Sequence, residues 1–221
     1  MEGEVWIGIA FATEYRLMLS FMIGPQEASL AEPLIASTKE RLRAGSWPVW
    51  VSDGLDAYGE ALKSRHCFLQ YYPRTGKRGR PRRPKLVACP DLKYGQVVKQ
   101  RDEKHRVTGI FKRCRYGEVP LEKISTVYIE RHNLTLRHEN RRLTRKTIAF
   151  SKKVTELRGQ MFIYQGYYNF VRSHRALRLP ISQVNDTTRK WQARTPAMAA
   201  GLADHNWSLR ELMSLKIFIN Y

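Results

Sequence analysis

Cysteine is scarce in this sequence. Three (Cys67, Cys89 and Cys114) occur in 221 residues, and no two form a CxxC pair. That excludes a disulfide scaffold and a self-contained zinc ribbon, and it points to a reducing compartment. Cys89, His105 and Cys114 surround one segment, but their spacing fits no common zinc site, so they read as ordinary side chains. Long apolar runs are missing as well. None reaches the ~18 residues of a membrane span, and the N-terminus has no signal-peptide pattern. No internal repeat with a period of about 20–50 residues is found. Acids are few: 20 Asp+Glu stand against 39 Lys+Arg, a formal charge of +19. At 43% hydrophobic and 11% aromatic, the chain can bury a core, which excludes a wholly disordered basic tail. The size suits one domain with a small appendage. A charge of +19 on a folded domain points to a polyanion, and nucleic acid is the commonest; a basic surface that binds nothing is the alternative.

The charge is concentrated. Fifteen Lys/Arg lie between Arg74 and Arg115, opposed only by Asp91, Asp102 and Glu103, a net +12. Within this stretch, Thr75–Pro84 is interrupted throughout by Gly and Pro, which excludes helix and a central strand. It reads as a solvated arm. Arg78-Gly79-Arg80-Pro81 resembles the core of an AT-hook, in which a flat Arg-Gly-Arg-Pro backbone enters a narrow A·T minor groove. An arm that only neutralises phosphates, with Arg78, Arg80, Arg82 and Arg83, is the plainer reading. Beyond the arm, Gln96–Lys99 and Val107–Phe111 flank the polar Gln100–Arg106, which predicts a hairpin with a charged turn. Arm and hairpin, residues 73–118, read as an insertion in a larger domain.

Val5–Phe11 and Leu17–Ile23 are nearly unbroken apolar runs, predicting two buried strands. Ser29-Leu30-Ala31-Glu32 has capping-box form and opens a helical stripe of Leu30, Leu34, Ile35, Thr38 and Leu42, although Pro33 sits early in it. Trp47–Val51 predicts a short buried strand that ends in Ser52-Asp53-Gly54. Leu55–Leu62 then reads as helix and Cys67–Tyr72 as strand. This order indicates an α/β domain. From Ser151, a possible cap, Val154, Leu157, Met161, Tyr164, Tyr168 and Val171 recur at helical spacing. Thr195-Pro196 opens a short helix closed by Gly201, and Ser208–Glu211 is a second capping box.

Two acids stand out. Asp53 follows a predicted strand directly, at the end where α/β sheets bind ligands, although Asp-Gly is also a common turn dipeptide. Glu130 lies in Ile124–Arg137. If that segment is helical, Glu130, Asn133 and Arg137 share one face and could hold a metal ion, a polar neighbour and a phosphate. The β-branched run before Glu130 leaves strand open, and an ordinary ion pair on a solvated helix face is the bland alternative.

At these residues the sequence resembles DDE-type transposases of bacterial and archaeal insertion sequences, in the family often expressed by frameshifting. Gly3-Glu4-Val5-Trp6 and the two strands resemble that family's second and third core strands. Ser52-Asp53-Gly54 with Tyr58 resembles its second-acid motif, and Ser125–Arg137 its glutamate helix. Arg142, Thr144, Arg145 and Phe150–Lys153 continue the likeness. Tyr168-Asn169-Phe170, Arg172, His174 and Thr195–Gly201 resemble the C-terminal signature.

The resemblance implies an α/β, RNase H-like mixed sheet flanked by helices in residues 1–150, with a helical C-terminal region in 151–221. It implies catalysis and metal binding by Asp53 and Glu130. Three carboxylates in such sites hold two Mg²⁺ (or Mn²⁺) ions, one activating the attacking water or 3′-hydroxyl and the other stabilising the leaving oxygen. Asn133, Arg137, Arg172 and His174 would contact DNA. The partners implied are double-stranded DNA, as transposon ends and target, and further copies of the chain on it. The location implied is cytoplasmic and nucleoid-associated, with no membrane. Relatives carry their first Asp on a strand upstream of the segment matching Gly3–Trp6, so the first core strand is expected to be missing. A catalytically inactive, truncated remnant that binds DNA or regulates the full-length enzyme is therefore the alternative. An unrelated RNA-binding protein is disfavoured by the lack of an aromatic-rich recognition strand.

Overall fold

The computed structural model describes residues 5–73, 76, 80, 82–144, 148, 151–181 and 190–215. The chain divides into two compact units. One comprises Gly3–Gly8 and Gly24–Glu130; the other comprises Met1–Glu2, Ile9–Ile23 and Arg131–Tyr221.

The first unit is an α/β layer. Strand β3 (Val49–Asp53) pairs parallel with β6 (Lys93–Arg101), which pairs antiparallel with β7 (Val107–Tyr116). Helices α1 (Glu27–Glu40) and α2 (Asp56–Arg65) supply Ala31, Ile35, Ala61 and Leu62 to a core completed by Leu92 and Tyr94, with Trp50 and Tyr58 against it. A smaller cluster of Val97, Val119 and Ile124, with Val51, forms separately. Period-2 alternation explains the two clusters. Trp50 faces Tyr94 in the register, whereas Val51 lies on the opposite face beside Gly95 and Val97. Gly95 is required there, since a Cβ would stand 2.6 Å from the fully buried Ile124. The hairpin predicted around residues 96–111 forms, with longer strands.

Three expectations are corrected. α1 starts at Glu27, and the Ser29 hydroxyl donates to the Gln26 carbonyl (2.7 Å) instead of capping. Pro33 lies inside this helix, where it lacks the amide that would bond one turn back. Strand β3 is not buried: Trp47 and Val49 are exposed, because β3 is the edge of its sheet. The basic arm does not stand alone before a hairpin. β4 (Cys67–Gln70) and β5 (Lys85–Ala88) pair antiparallel across it, so the arm is the loop of a second hairpin.

In the other unit, β1 (Trp6–Ala12) and β2 (Leu17–Gly24) form a sheet of their own, as their apolar runs predicted; β1 and helix α3 (Val127–Glu139) supply residues to both units. Helix α4 (Val154–Gly166) buries Leu157, Met161 and Tyr164 and runs into a π-helical turn, Tyr167–Val171. Its N-cap is Lys153; the Ser151 hydroxyl donates to the Lys153 carbonyl and accepts from Arg142 instead of capping. Asn169 fixes β2 by accepting from Met18 N (3.0 Å) and donating to Met18 O (2.9 Å). Gln165 donates to the Met18 and Leu19 carbonyls, both at 3.0 Å. Strands β8 (Leu179–Pro180) and β9 (Trp191–Gln192) pair, and α5 (Pro196–Ala199) and α6 (Leu209–Ser214) follow. The expected caps form: Thr195 accepts from Met198 N, and Ser208 and Glu211 make a reciprocal box.

Candidate functional site

Asp53 ends β3, and its carboxylate accepts from Leu55 N (3.2 Å), which shapes the turn into α2. A buried polar chain supports this turn. Ser52 Oγ lies 2.7 Å from the Tyr94 hydroxyl, and Gln96 Nε2 donates to that hydroxyl (2.9 Å) and to Leu55 O (3.4 Å). Arg113 Nε closes the chain on Gln96 Oε1 (2.8 Å). Two flanking groups feel the Asp53 charge. Tyr58 is pushed up to about 12, first by burial and then by Asp53 and Glu27. Glu27, in the first turn of α1, is raised by burial and by Asp53.

Glu130 occupies the first turn of α3, so the helical reading of this segment holds. Of the β-branched residues before it, Val127 and Ile129 are within the helix, while Ile124 and Thr126 precede it: Ile124 is buried in the core, and Thr126 supplies the first-turn carbonyl to Glu130 N. Lys99 Nζ donates to Glu130 Oε1 (2.9 Å), and Thr126 Oγ1 donates to the same oxygen (3.1 Å). Lys99 foremost, with help from Thr126, holds this carboxyl below the usual range.

Strand β6 links the two acids. Asp53 pairs in register with Val97, and Lys99 stands two residues further along the same face of β6. Both acids are therefore tied to the later half of β6, Asp53 through its register with Val97 and Glu130 through Lys99. Lys99 and Glu27 were not singled out from sequence. Lys99 was legible only as a strand residue of the basic stretch.

The other predicted contacts are distributed as follows. Arg80, Arg82 and Arg83 are exposed on the β4–β5 loop, while Arg78 and Arg145 lie outside the described residues. Asn133 is half-buried, and Arg137 is exposed. Arg172 is ion-paired with Glu139 (2.9 Å), with its guanidinium 5.7 Å from the Tyr168 ring. His174 Nδ1 accepts from Ala176 N (3.3 Å). Burial, then Arg16, Arg172 and Arg131, lowers the pKa of His174.

Among the described residues no group of three or more His, Cys, Asp or Glu could hold a metal ion. A hard divalent cation takes about six oxygen ligands, and Glu130 is already engaged by Lys99. The side chains present do not make a complete metal site. No described helix is long and apolar enough to cross a membrane.

Residues 99–168 match the family model of the IS1 transposase. The match takes in Lys99, Glu130, Asn133 and Arg137, and it leaves Asp53, the basic arm, Arg172 and His174 outside. No curated protein and no solved structure matches the chain. Over residues 99–168, around the glutamate helix, this chain is similar to insertion-sequence transposases of the DDE type.

Proposed function

We propose that the chain performs Mg²⁺- or Mn²⁺-dependent cleavage and strand transfer of insertion-sequence DNA ends, with Asp53 and Glu130 as catalytic and metal-binding carboxylates. The observation that carries this reading is the link through β6. Glu130 lies inside the family match and is held by Lys99 of β6, the strand that pairs in register with the end of β3 bearing Asp53. Open α/β sheets bind their ligands at that end. Further ligands for the cation must come from outside the His, Cys, Asp and Glu clusters among the described residues. Arg78, Arg80, Arg82 and Arg83 on the arm, with Asn133, Arg137, Arg172 and His174, bind the DNA, and several copies act together on paired ends.

The mixed sheet order β3-β6-β7, with helices α1 and α2 packed against it, supports an RNase H-like core. A second reading, a remnant that binds ends or regulates the full-length enzyme, is favoured because no group of three His, Cys, Asp or Glu forms among the described residues.

The two readings separate when the purified chain is incubated with labelled DNA carrying the element's ends and Mg²⁺. Cleaved and joined products support the first. Bound ends without product support the second. No binding at low salt overturns both.

A further inference from the structure

The β4–β5 hairpin carries a concave surface apart from the two candidate carboxylates. A cavity of about 450 Å³ is lined by Tyr72, Arg82, Arg83 and Lys85. Sites for small ligands span roughly 300–1,000 Å³, so one nucleotide fits. The lining is chemically one-sided. Three cations and one aromatic ring meet there, with no acid among the described lining residues, which suits an anionic ligand with a face to stack. Tyr72 is half-buried, which holds its ring in place, and the Arg82 guanidinium carbon lies 5.7 Å from the ring centroid. A base laid on Tyr72 would thus have a cation within reach of its phosphate. A paired and stacked base offers only its edges to a protein, whereas an unpaired one offers its ring face.

The geometry points to Tyr72, Arg82, Arg83 and Lys85 as a pocket for one unpaired nucleotide of DNA, such as a frayed or overhanging end. It rests on the DNA-handling reading above and adds single-strand recognition to it. The hairpin then both contacts phosphates with its arm and captures an unstacked base at its root.

Three oligonucleotides of one sequence test this by fluorescence anisotropy with the full chain: a blunt duplex, a duplex with a 3′ overhang, and the single strand. Tyr72→Ala is expected to weaken overhang and single-strand binding roughly 5- to 100-fold, leaving the blunt duplex and the salt slope unchanged. Tyr72→Phe keeps the ring and restores binding. Arg82→Ala with Arg83→Ala lowers the salt slope for all three DNAs. 2-Aminopurine in the overhang is quenched by wild type and not by Tyr72→Ala. Equal loss of duplex and overhang binding in Tyr72→Ala, no loss at all, or tighter binding of the matching RNA overturns the pocket. Failure of wild type to bind any DNA overturns the transposase reading itself.

Discussion

The ammonium group of Lys99 stands 2.9 Å from Oε1 of Glu130 and joins the central strand of the sheet to the first turn of α3. A cation from the protein therefore pairs with the one of the two candidate acids that the family match covers. Replacing Lys99 by Met removes the main influence that lowers the Glu130 pKa. The pKa should move up toward the ordinary carboxylate range, read by carboxyl-carbon NMR titration. The stability this pair adds is present above the ordinary Glu value and disappears as pH falls through the depressed one, so the variant should lose that acid-range dependence. Both side chains are partly exposed, which keeps the effect on stability small. An unchanged Glu130 titration would show that Lys99 is a bystander.

His132 makes the helical unit sensitive to acid. It is buried against Phe11 (centroids 4.7 Å apart) and edge-on to Tyr168 (4.5 Å), and neither ring nitrogen has a hydrogen-bond partner among the described residues. Burial, then the charges of Arg172 and His174, lowers its pKa to about 4. The unfolded chain binds a proton near pH 6.5 and the folded chain does not. Stability should therefore fall as pH drops from about 6.5 to 4, by on the order of 3 kcal/mol, and level off below. Urea midpoints measured across that range check this, and His132→Phe should flatten the curve.

Gly95 lets Ile124, in the segment that leads into α3, pack closely on β6. Gly95→Ala drives a methyl group into Ile124 and should cost about 1–3 kcal/mol. Ile124→Val in the same chain should recover part of the loss, so that a double-mutant cycle shows coupling. Additive losses in chemical denaturation would mean that the contact is not the cause.

Asn169 acts on backbone. Its amide satisfies both polar groups of the buried Met18, so Asn169→Ala should cost about 1–3 kcal/mol. Asn169→Asp should be worse, because it turns a donor facing the Met18 carbonyl into an acceptor. Thermal unfolding of the two variants ranks them. If the ranking reverses, the contact with β2 is not what Asn169 provides.

The parts legible in sequence are those governed by local rules. Two apolar runs gave β1 and β2, and the caps at Thr195 and Ser208 sit where their hydroxyls and following residues required. Local rules failed where distant residues decide. Ser29 looked like a cap, yet α1 begins two residues earlier at Glu27. β4 and β5 pair across the arm, and nothing near Phe68 or Leu86 announces that register. Asp53 and Glu130 were recognisable from their motifs. Lys99 and Glu27, however, enter the site only through strand register and helix placement, which single-residue patterns do not encode.

Asp53→Asn and Glu130→Gln, each nearly isosteric, offer the most direct test. Wild type and both variants are to be compared for joining of transposon-end DNA to target in Mg²⁺, with end binding measured in parallel. If the two acids carry the chemistry, joined product falls at least about 100-fold in each variant while end binding holds. Wild-type levels of product from either variant would contradict their catalytic role.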